Sequence, residues 1–245
     1  MQFQQAPQLV IFDKDGTLID FQAMWGSWAI GFIARMRSAV APAIEPQLFD
    51  LFGVDPRSHR IHPAGALAIA PEAATQDRIV VLLAAYGYAP AAARAMVTDL
   101  WQAPDPATTA VPCADVVGLC GWILRHGAKI AVATADNRIP TIATMQALGI
   151  ADAISFYACA DDVGIAPKPA PDKILAICAA LAIEPRHAIM VGDTPADMQM
   201  GRAAQVMHCV AVTTGVSTSS ELAGHADIVL GTIAGLPGLW PNSPS

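Results

Sequence analysis

Two carboxylates, two positions apart, follow a short apolar run near the start of the chain. Asp13 and Asp15 come directly after residues 9–12, Leu-Val-Ile-Phe, and Gly16 follows them. The apolar run predicts a buried strand, whose alternating geometry can project both aspartates to the same side, and Gly16 permits a sharp turn. Like charges this close are unfavourable unless a cation lies between them or one group holds a proton. A hard cation that takes oxygen ligands, such as Mg2+, would relieve the repulsion.

Two other interpretations of this stretch are a solvated turn and a Ca2+ loop of the EF-hand type. The Ca2+ loop requires acidic or amide side chains at its first, third and fifth positions, Gly at the sixth and Glu at the twelfth. Counted from Asp13, the later positions hold Thr17, Leu18 and Met24, which excludes it. The solvated turn remains open unless other parts of the chain supply partners for the aspartates.

Composition and charge exclude several classes of protein. The chain has 245 residues, enough for one large domain or a domain with an insertion, and is 54% hydrophobic. No stretch reaches the about 20 apolar residues of a membrane span, and residues 1–7 do not have the pattern of a secretion signal. The net charge of -7 argues against nucleic-acid binding. Five dispersed cysteines without a C-x-x-C pair disfavour disulfide and zinc frameworks, and we expect a reducing, cytoplasmic environment.

Two kinds of pattern divide the chain. Before a linker-like Ala-Pro-Asp-Pro at 103–106, the expected helices cover residues 21–40, 47–52, 71–84 and 90–101. After residue 111, the expected helices cover residues 115–125, 138–148, 171–181 and 196–204, and the expected strands cover residues 129–133, 154–157, 188–191, 206–212 and 227–230.

Strands that alternate with helices predict a parallel sheet covered by helices on both faces. The predicted fold is therefore a doubly wound, Rossmann-like α/β core formed by residues 1–20 and 104–245. An all-helical cap of residues 21–103 is inserted after the first strand. Because ligands bind beyond the carboxyl ends of parallel strands, we expect this cap to lie over the aspartates as a lid that excludes water.

Three more polar segments are expected at the same edge of the sheet. Thr134 follows the second core strand, Lys168 lies between two prolines, and Asp193 ends an apolar strand with Asp197 one helical turn later. Each has a plain alternative, since Thr and Asp are common helix caps and a lysine is usually solvated. Together they gather carboxylates, an ammonium group and a hydroxyl, which favours phosphoryl transfer.

In this order, the segments resemble the haloacid dehalogenase superfamily of hydrolases. The matching motifs are D-x-D-G-T-L at 13–18, Thr134, K-P-x-P-D at 168–172 and G-D-x-x-x-D at 192–197. The helical insertion resembles the cap of the phosphoglycolate phosphatase and β-phosphoglucomutase branch. The resemblance implies a Mg2+-dependent phosphatase that hydrolyses a small phosphorylated metabolite, such as phosphoglycolate or a sugar phosphate, through an aspartyl-phosphate.

The resemblance also implies roles for the carboxylates. Asp13 would be the nucleophile, and Asp15 would protonate the leaving oxygen and later activate water. Mg2+ would be held by the Asp13 carboxylate, the Asp15 backbone carbonyl and Asp193, while Asp197 would support these ligands without binding the ion.

The phosphoryl group would be bound by other residues. The resemblance implies that Thr134 and the backbone amide of Ala135 contact its oxygens, with Asn137 as a looser candidate. Lys168 would neutralise the charge on these oxygens and on Asp13.

Three positions have no counterpart in the family motifs. Lys14, between the two aspartates, is often apolar or aromatic in relatives, and strand alternation predicts that its side chain points away from Asp13 and Asp15 and is structural. Arg57 and Arg60, in the cap, could meet an anionic substrate or could simply be solvated.

Two further functions remain as alternatives. One is a phosphomutase of the β-phosphoglucomutase type, and the other is a non-catalytic module phosphorylated on aspartate, although such modules are about half this length. Dehalogenation is disfavoured because a leaving halide needs no general acid, so Asp15 would be superfluous. The sequence specifies neither the substrate nor the oligomeric state.

Overall fold

The computed structural model describes residues 2–62, 65–70 and 72–241. The chain forms two compact units, one composed of Met1–Asp20 with Ala110–Ser245 and the other of Phe21–Thr109. The first unit is an α/β core and the second is built from helices.

The α/β unit contains a six-stranded sheet in which every neighbouring pair is parallel. The strand order is β3-β2-β1-β4-β5-β6. The strands are β1 (Leu9–Phe12), β2 (Lys129–Ala133), β3 (Ile154–Ala158), β4 (Ala188–Gly192), β5 (His208–Val212) and β6 (Ile228–Leu230). The predicted Rossmann-like parallel sheet is therefore confirmed.

Helices join the strands of this unit, as parallel pairing requires. They are α7 (Val116–Arg125), α8 (Arg138–Ala147), α9 (Asp172–Leu181), α10 (Pro195–Ala203) and α11 (Ser219–Ala223). Leu9 and Ile11 of β1 pack in one buried cluster with residues of α9 and α10, including Ile174 and Met200. Burial of these alternate side chains, at about 25 cal/mol per Å2 of apolar surface removed from water, favours the sheet-helix layers.

The register of the sheet aligns the ends of its central strands. Phe12, the last residue of β1, pairs with Val132 of β2 on one side and with Val191 of β4 on the other. All of β1 and β4 is buried, so the polar residues after these strands are held by a rigid frame.

The second unit consists of helices around a group of aromatic rings. Its helices are α1 (Ser27–Ala39), α2 (Ile44–Phe52), α3 (Ala66–Ile69), α4 (Glu72–Ala84), α5 (Pro90–Leu100) and α6 (Pro106–Thr109). Trp28 and Trp101 meet edge to face with ring centroids 4.5 Å apart, and Phe32 and Phe52 pack at 5.6 Å. Such aromatic pairs add stability beyond the area they bury.

The structure differs from the sequence-based helices in several details. The segment expected as one helix over 21–40 begins with a π-helical turn, Gln22–Gly26, before α1. The helix expected over 47–52 begins earlier, at Ile44, and Pro46 lies in its first turn, where its missing N–H has no helical partner to lose. The expected helix start at Pro71 lies outside the described residues.

Short helices were not expected from the sequence. α3, α6 and α11 have four, four and five residues, too few for a helical period to be seen. In the described part of the chain, no helix has both the length and the apolar character needed to cross a membrane.

Candidate active site

The residues of the candidate site all belong to the α/β unit and follow the carboxyl ends of its strands. Asp13 comes after β1, Thr134 after β2 and Asp193 after β4, while Lys168 lies in the connection from β3 to α9. The backbone N–H of Asp13 donates to the carbonyl oxygen of Val191 at 2.8 Å, which extends the β1-β4 ladder to the catalytic candidate. The sheet thus carries these residues to one edge.

Lys168 lies between two carboxylates. Its Nζ is 2.6 Å from Oδ1 of Asp13 and 2.5 Å from Oδ1 of Asp197. The side chain of Lys168 is 10% exposed and those of Asp13 and Asp197 are 8% and 0% exposed. This is a largely desolvated ion-pair network, so the interpretation of Lys168 as a solvated surface lysine is excluded.

Asp197 lies in the first turn of α10 and is held by the residue that caps this helix. Thr194 caps α10, and its backbone N–H and hydroxyl donate to Oδ2 of Asp197 at 3.1 and 2.6 Å. The Asp197 N–H returns a hydrogen bond to the Thr194 hydroxyl, which completes a capping box. With Oδ1 bound to Lys168 and Oδ2 to Thr194, Asp197 is suited to support the site rather than to react.

Asp193 is packed against a loop that follows β5. The backbone N–H of Val216 donates to Oδ2 of Asp193 at 3.0 Å. A Cβ added at Gly215 would lie 1.7 Å from this oxygen, and one added at Gly16, whose φ is +81°, would lie 2.5 Å from it. The two glycines therefore allow the backbone to approach the carboxylate as closely as it does.

A group of three carboxylates has the character of a metal site. Oxygens of Asp13, Asp193 and Asp197 lie within 4.8 Å of one another, and all three residues are buried. Oδ1 of Asp193 is buried and has no hydrogen-bond partner among the residues that the structure describes, and an unpaired buried carboxylate oxygen is costly. The oxygen donor set suits a hard divalent cation, so the residues present fit the predicted Mg2+.

Burial, together with the neighbouring charges, shifts the pKa values of these groups. Burial raises the pKa of Asp13 to about 7; Lys168 opposes this shift and Asp197 adds to it. Burial, followed by the charges of Asp13 and Asp197, raises the pKa of Asp193 well above its ordinary value. Burial lowers the pKa of Lys168, but Asp13 and Asp197 outweigh burial and the net change is upward. The cluster thus favours a proton or another positive charge.

The turn after β2 begins with Thr134, which is buried. Its hydroxyl accepts a hydrogen bond from the backbone N–H of Asp136 at 3.1 Å. Ala135 and Asn137 are exposed, and Oδ1 of Asp136 accepts from the Asn137 N–H at 2.7 Å. The turn therefore presents exposed residues beside a fixed threonine.

The expected direction of the Lys14 side chain, away from Asp15, is wrong. Its side chain is not directed away from Asp15, because Nζ lies 2.9 Å from Oδ2 of Asp15 and 2.9 Å from Oδ2 of Asp136. Strand alternation does not apply, since β1 ends at Phe12 and the backbone bends at Lys14. Burial lowers the pKa of Lys14, but the two carboxylates outweigh burial and the net change is upward.

Arg57 and Arg60 belong to the helical unit and are exposed. They lie in a turn organised by Asp55, whose Oδ1 accepts from the Arg57 N–H at 3.0 Å and whose N–H donates to the Arg60 carbonyl at 2.9 Å. Both the substrate-contact and the solvated interpretations of these arginines stay open.

Sequence reasoning missed the loop after β5. The hydroxyl of Thr214 donates to the carbonyl of Gly16 at 2.6 Å, and Val216 and Gly215 contact Asp193 as described above. The signal was the pair of threonines and the glycine directly after an expected strand, at the same edge as the other motifs. Asp136 was also missed as a partner of Lys14.

These features define a buried site of carboxylates and a lysine at the carboxyl edge of a parallel α/β sheet, and comparison with known proteins identifies the family. A model described as haloacid dehalogenase-like hydrolase matches residues 7–205. The chain therefore belongs to the haloacid dehalogenase-like hydrolase family, as its motifs predicted.

Individual relatives support the same branch. The chain is similar to a phosphoglycolate phosphatase of Rhodospirillum rubrum, 28% identical over 82% of this chain and 77% of that protein. Its fold is similar to that of a predicted phosphoglycolate phosphatase of Haemophilus somnus, with TM-score 0.68, 16% identity and coverage of 96% of this chain and 97% of that one. It also resembles a putative β-phosphoglucomutase of Thermotoga maritima, with TM-score 0.63, 14% identity and coverage of 91% and 94%. The predicted enzyme class, a phosphoric monoester hydrolase, is confirmed, and the chain is similar to proteins of both kinds after which the predicted branch is named.

Proposed function

We propose that this enzyme hydrolyses a small phosphate monoester through a phosphorylated Asp13, with Mg2+ as its cofactor. The observation that carries the proposal is the contact of Asp13 Oδ1 with Lys168, 2.6 Å away, inside a buried cluster that also contains Asp193 and Asp197. Such an arrangement suits phosphoryl transfer, in which positioning and charge neutralisation supply most of the catalysis.

Asp13 would attack the phosphorus atom. Its backbone is fixed by the hydrogen bond to Val191, and Lys168 orients its carboxylate. The P–O bond to the alcohol breaks as the P–O bond to Asp13 forms, and a water molecule later releases inorganic phosphate and restores the carboxylate.

Asp15 would move the proton in both steps. It would donate a proton to the leaving alkoxide and then take one from the attacking water. Its side chain is 23% exposed and is held by Lys14, so it is accessible to a substrate and constrained in orientation.

Mg2+ would be held by the Asp13 carboxylate, the backbone carbonyl of Asp15 and Asp193. Bound there, the ion would supply positive charge that neutralises the phosphoryl oxygens. The unpaired Oδ1 of Asp193 supports this assignment. Asp197 would not be a ligand, because Lys168 and Thr194 engage its oxygens.

The remaining contacts to the phosphoryl group would come from the turn after β2. Thr134, the amide of Ala135 and, less directly, Asn137 would bind its oxygens. Lys168 would neutralise their charge while it holds Asp13 and Asp197.

The substrate would be a small phosphorylated metabolite in the cytoplasm. Phosphoglycolate is the first candidate, because the R. rubrum protein that the chain resembles is named for it, and sugar phosphates come next. We propose that residues 21–103 form a cap domain, with Arg57 and Arg60 as candidates for contact with an anionic substrate.

A phosphate-release assay with phosphoglycolate and a set of sugar phosphates tests the proposal. We expect Mg2+-dependent release of inorganic phosphate from at least one of them. A mutase would release little phosphate and would require a bisphosphate activator. Absence of turnover with every monoester, with and without such an activator, would contradict the proposal.

A further inference from the structure

Lys14 is a buried lysine that the family motifs do not explain. It is 1% exposed, and its ammonium group contacts Asp15 at 2.9 Å and Asp136 at 2.9 Å. The two carboxylates are 23% and 20% exposed. A charge that is removed from water and shared by two carboxylates from separate segments links those segments.

Each carboxylate belongs to a different part of the candidate site. Asp15 follows β1, and Asp136 lies in the turn that begins with Thr134. Asp136 is itself fixed, because its N–H donates to the Thr134 hydroxyl and its carbonyl accepts from the N–H of Ala160 at 2.8 Å. Lys14 therefore ties Asp15 to a turn that cannot easily move.

We propose that Lys14 is a positioning residue that holds the Asp15 carboxyl group in the orientation required for proton transfer to the leaving oxygen, using Asp136 as its anchor. The inference rests on the proposed phosphatase function and adds a specific consequence to it. A general acid must lie within hydrogen-bond reach of the atom it protonates. If Asp15 is no longer held in place, hydrolysis should slow most for substrates whose leaving group must be protonated, and least for substrates whose leaving group departs without a proton.

Two substrates distinguish these cases. An alkoxide such as the one released from phosphoglycolate is strongly basic and must be protonated as it leaves. The p-nitrophenolate released from p-nitrophenyl phosphate is weakly basic and leaves without a proton. The ratio kcat/KM reports only the steps up to and including departure of the leaving group. It therefore measures the need for a proton on the leaving group separately from the later attack of water.

The test compares Lys14→Met with the wild-type enzyme on both substrates. General acid catalysis contributes about 10²- to 10⁴-fold, and we expect kcat/KM for phosphoglycolate to fall at least roughly tenfold more than kcat/KM for p-nitrophenyl phosphate. With p-nitrophenyl phosphate we also expect a burst of p-nitrophenol, because hydrolysis of the phosphorylated Asp13 also uses Asp15. If phosphoglycolate is not a substrate, another alkyl monoester that the wild type hydrolyses takes its place.

Asp136→Ala provides a second variant that keeps the lysine. The variant removes only the anchor. We expect kcat/KM for phosphoglycolate to fall more than kcat/KM for p-nitrophenyl phosphate, by a smaller factor than in Lys14→Met. If Lys14→Met does not fold, Asp136→Ala decides the question. Asp136 is partly exposed, and after its loss the ammonium group of Lys14 is still paired with Asp15.

Lys173→Met is a matched control. Lys173 is also 1% exposed, and it donates to the carbonyl of Cys159. We expect this variant to change kcat/KM for both substrates by the same factor.

The outcomes separate the two proposals. Equal losses on both substrates in Lys14→Met and Asp136→Ala, or no loss, would overturn the positioning role and leave the phosphatase function intact. A wild-type enzyme that hydrolyses no phosphate monoester would overturn the phosphatase function itself.

Discussion

Lys168 Nζ lies 2.6 Å from Asp13 Oδ1, although 155 positions separate the two residues in the chain. The contact neutralises part of the charge of a buried carboxylate cluster and orients the proposed nucleophile. It also predicts what happens when either partner is changed.

Replacement of Asp13 by Asn tests the nucleophile. The amide oxygen keeps the shape of the side chain but cannot form an acyl-phosphate, so we expect kcat to fall by roughly 10³-fold or more. We expect no loss of folding, because the substitution removes a negative charge from a cluster of three carboxylates. Phosphate release and thermal unfolding measured side by side check this, and an active variant would contradict the assignment.

Replacement of Lys168 by Met tests the ion-pair network. The variant leaves buried Asp13 and Asp197 without their cation, and loss of one partner of a buried pair typically costs about 3–5 kcal/mol. We expect a reduction of this order in the free energy of unfolding, measured in urea, and loss of activity. Arg202→Met is the control, because its pair with Asp227 is half exposed and should contribute about 1 kcal/mol or less. Equal stability losses in the two variants would contradict the prediction.

The raised pKa values predict how the stability of the metal-free protein depends on pH. Asp13 titrates near 7 in the folded protein and near 3.8 when its pKa is unperturbed, so between these values the folded form binds more protons than the unfolded form. The free energy of unfolding should therefore fall as pH rises from about 4 to 7, by at most about 1.4 kcal/mol per pH unit for each such group. Urea unfolding in EDTA at several pH values measures this slope.

The Asp13→Asn variant is the internal reference for that experiment. We expect its slope between pH 4 and 7 to be smaller, because the substituted group no longer titrates. A slope unchanged by the substitution would assign the pH dependence to other groups.

Mg2+ should bind to the folded protein and stabilise it. A ligand at 100 times its Kd adds about 2.7 kcal/mol to the free energy of unfolding, which corresponds to a Tm increase of several degrees. We expect Mg2+ to raise the Tm of the wild type and to restore activity after EDTA treatment, and we expect Asp193→Asn to lose both responses. Asp50→Asn, at an exposed carboxylate of the helical unit, should keep both.

Gly215 should tolerate no side chain. A Cβ at this position would lie 1.7 Å from Oδ2 of Asp193, so Gly215→Ala must displace the carboxylate or the loop. Overpacking of this kind typically costs about 1–3 kcal/mol, and we expect the Mg2+-induced rise in Tm to shrink as well. Gly224→Ala is the matched control, because no atom of the described part of the chain lies within 4 Å of its Cβ position. A Gly215→Ala variant with wild-type stability and Mg2+ response would contradict the role of this glycine.

The sequence by itself determined the fold. Apolar runs such as residues 9–12 and 188–191 are buried strands because hydrophobic periodicity and β-branched residues report local structure directly. The order of strands and helices then fixes a parallel sheet, whose carboxyl ends share one edge. This is why Asp13, Asp193 and Thr134 could be assigned to one site.

Tertiary structure alone decided which groups pair. Lys168 was expected near the site, but only the structure showed that it bridges Asp13 and Asp197, and the loop containing Gly215 and Val216 was not recognised. The direction of the Lys14 side chain was predicted wrongly, because alternation holds only within a strand and β1 ends at Phe12. Beyond the strand, the long side chain of Lys14 reaches the carboxylates of Asp15 and Asp136. The physical reason is that the periodicity of apolar residues predicts which residues are buried. Contacts between distant loops depend on side-chain rotamers and packing, which the spacing of residues in the sequence does not specify.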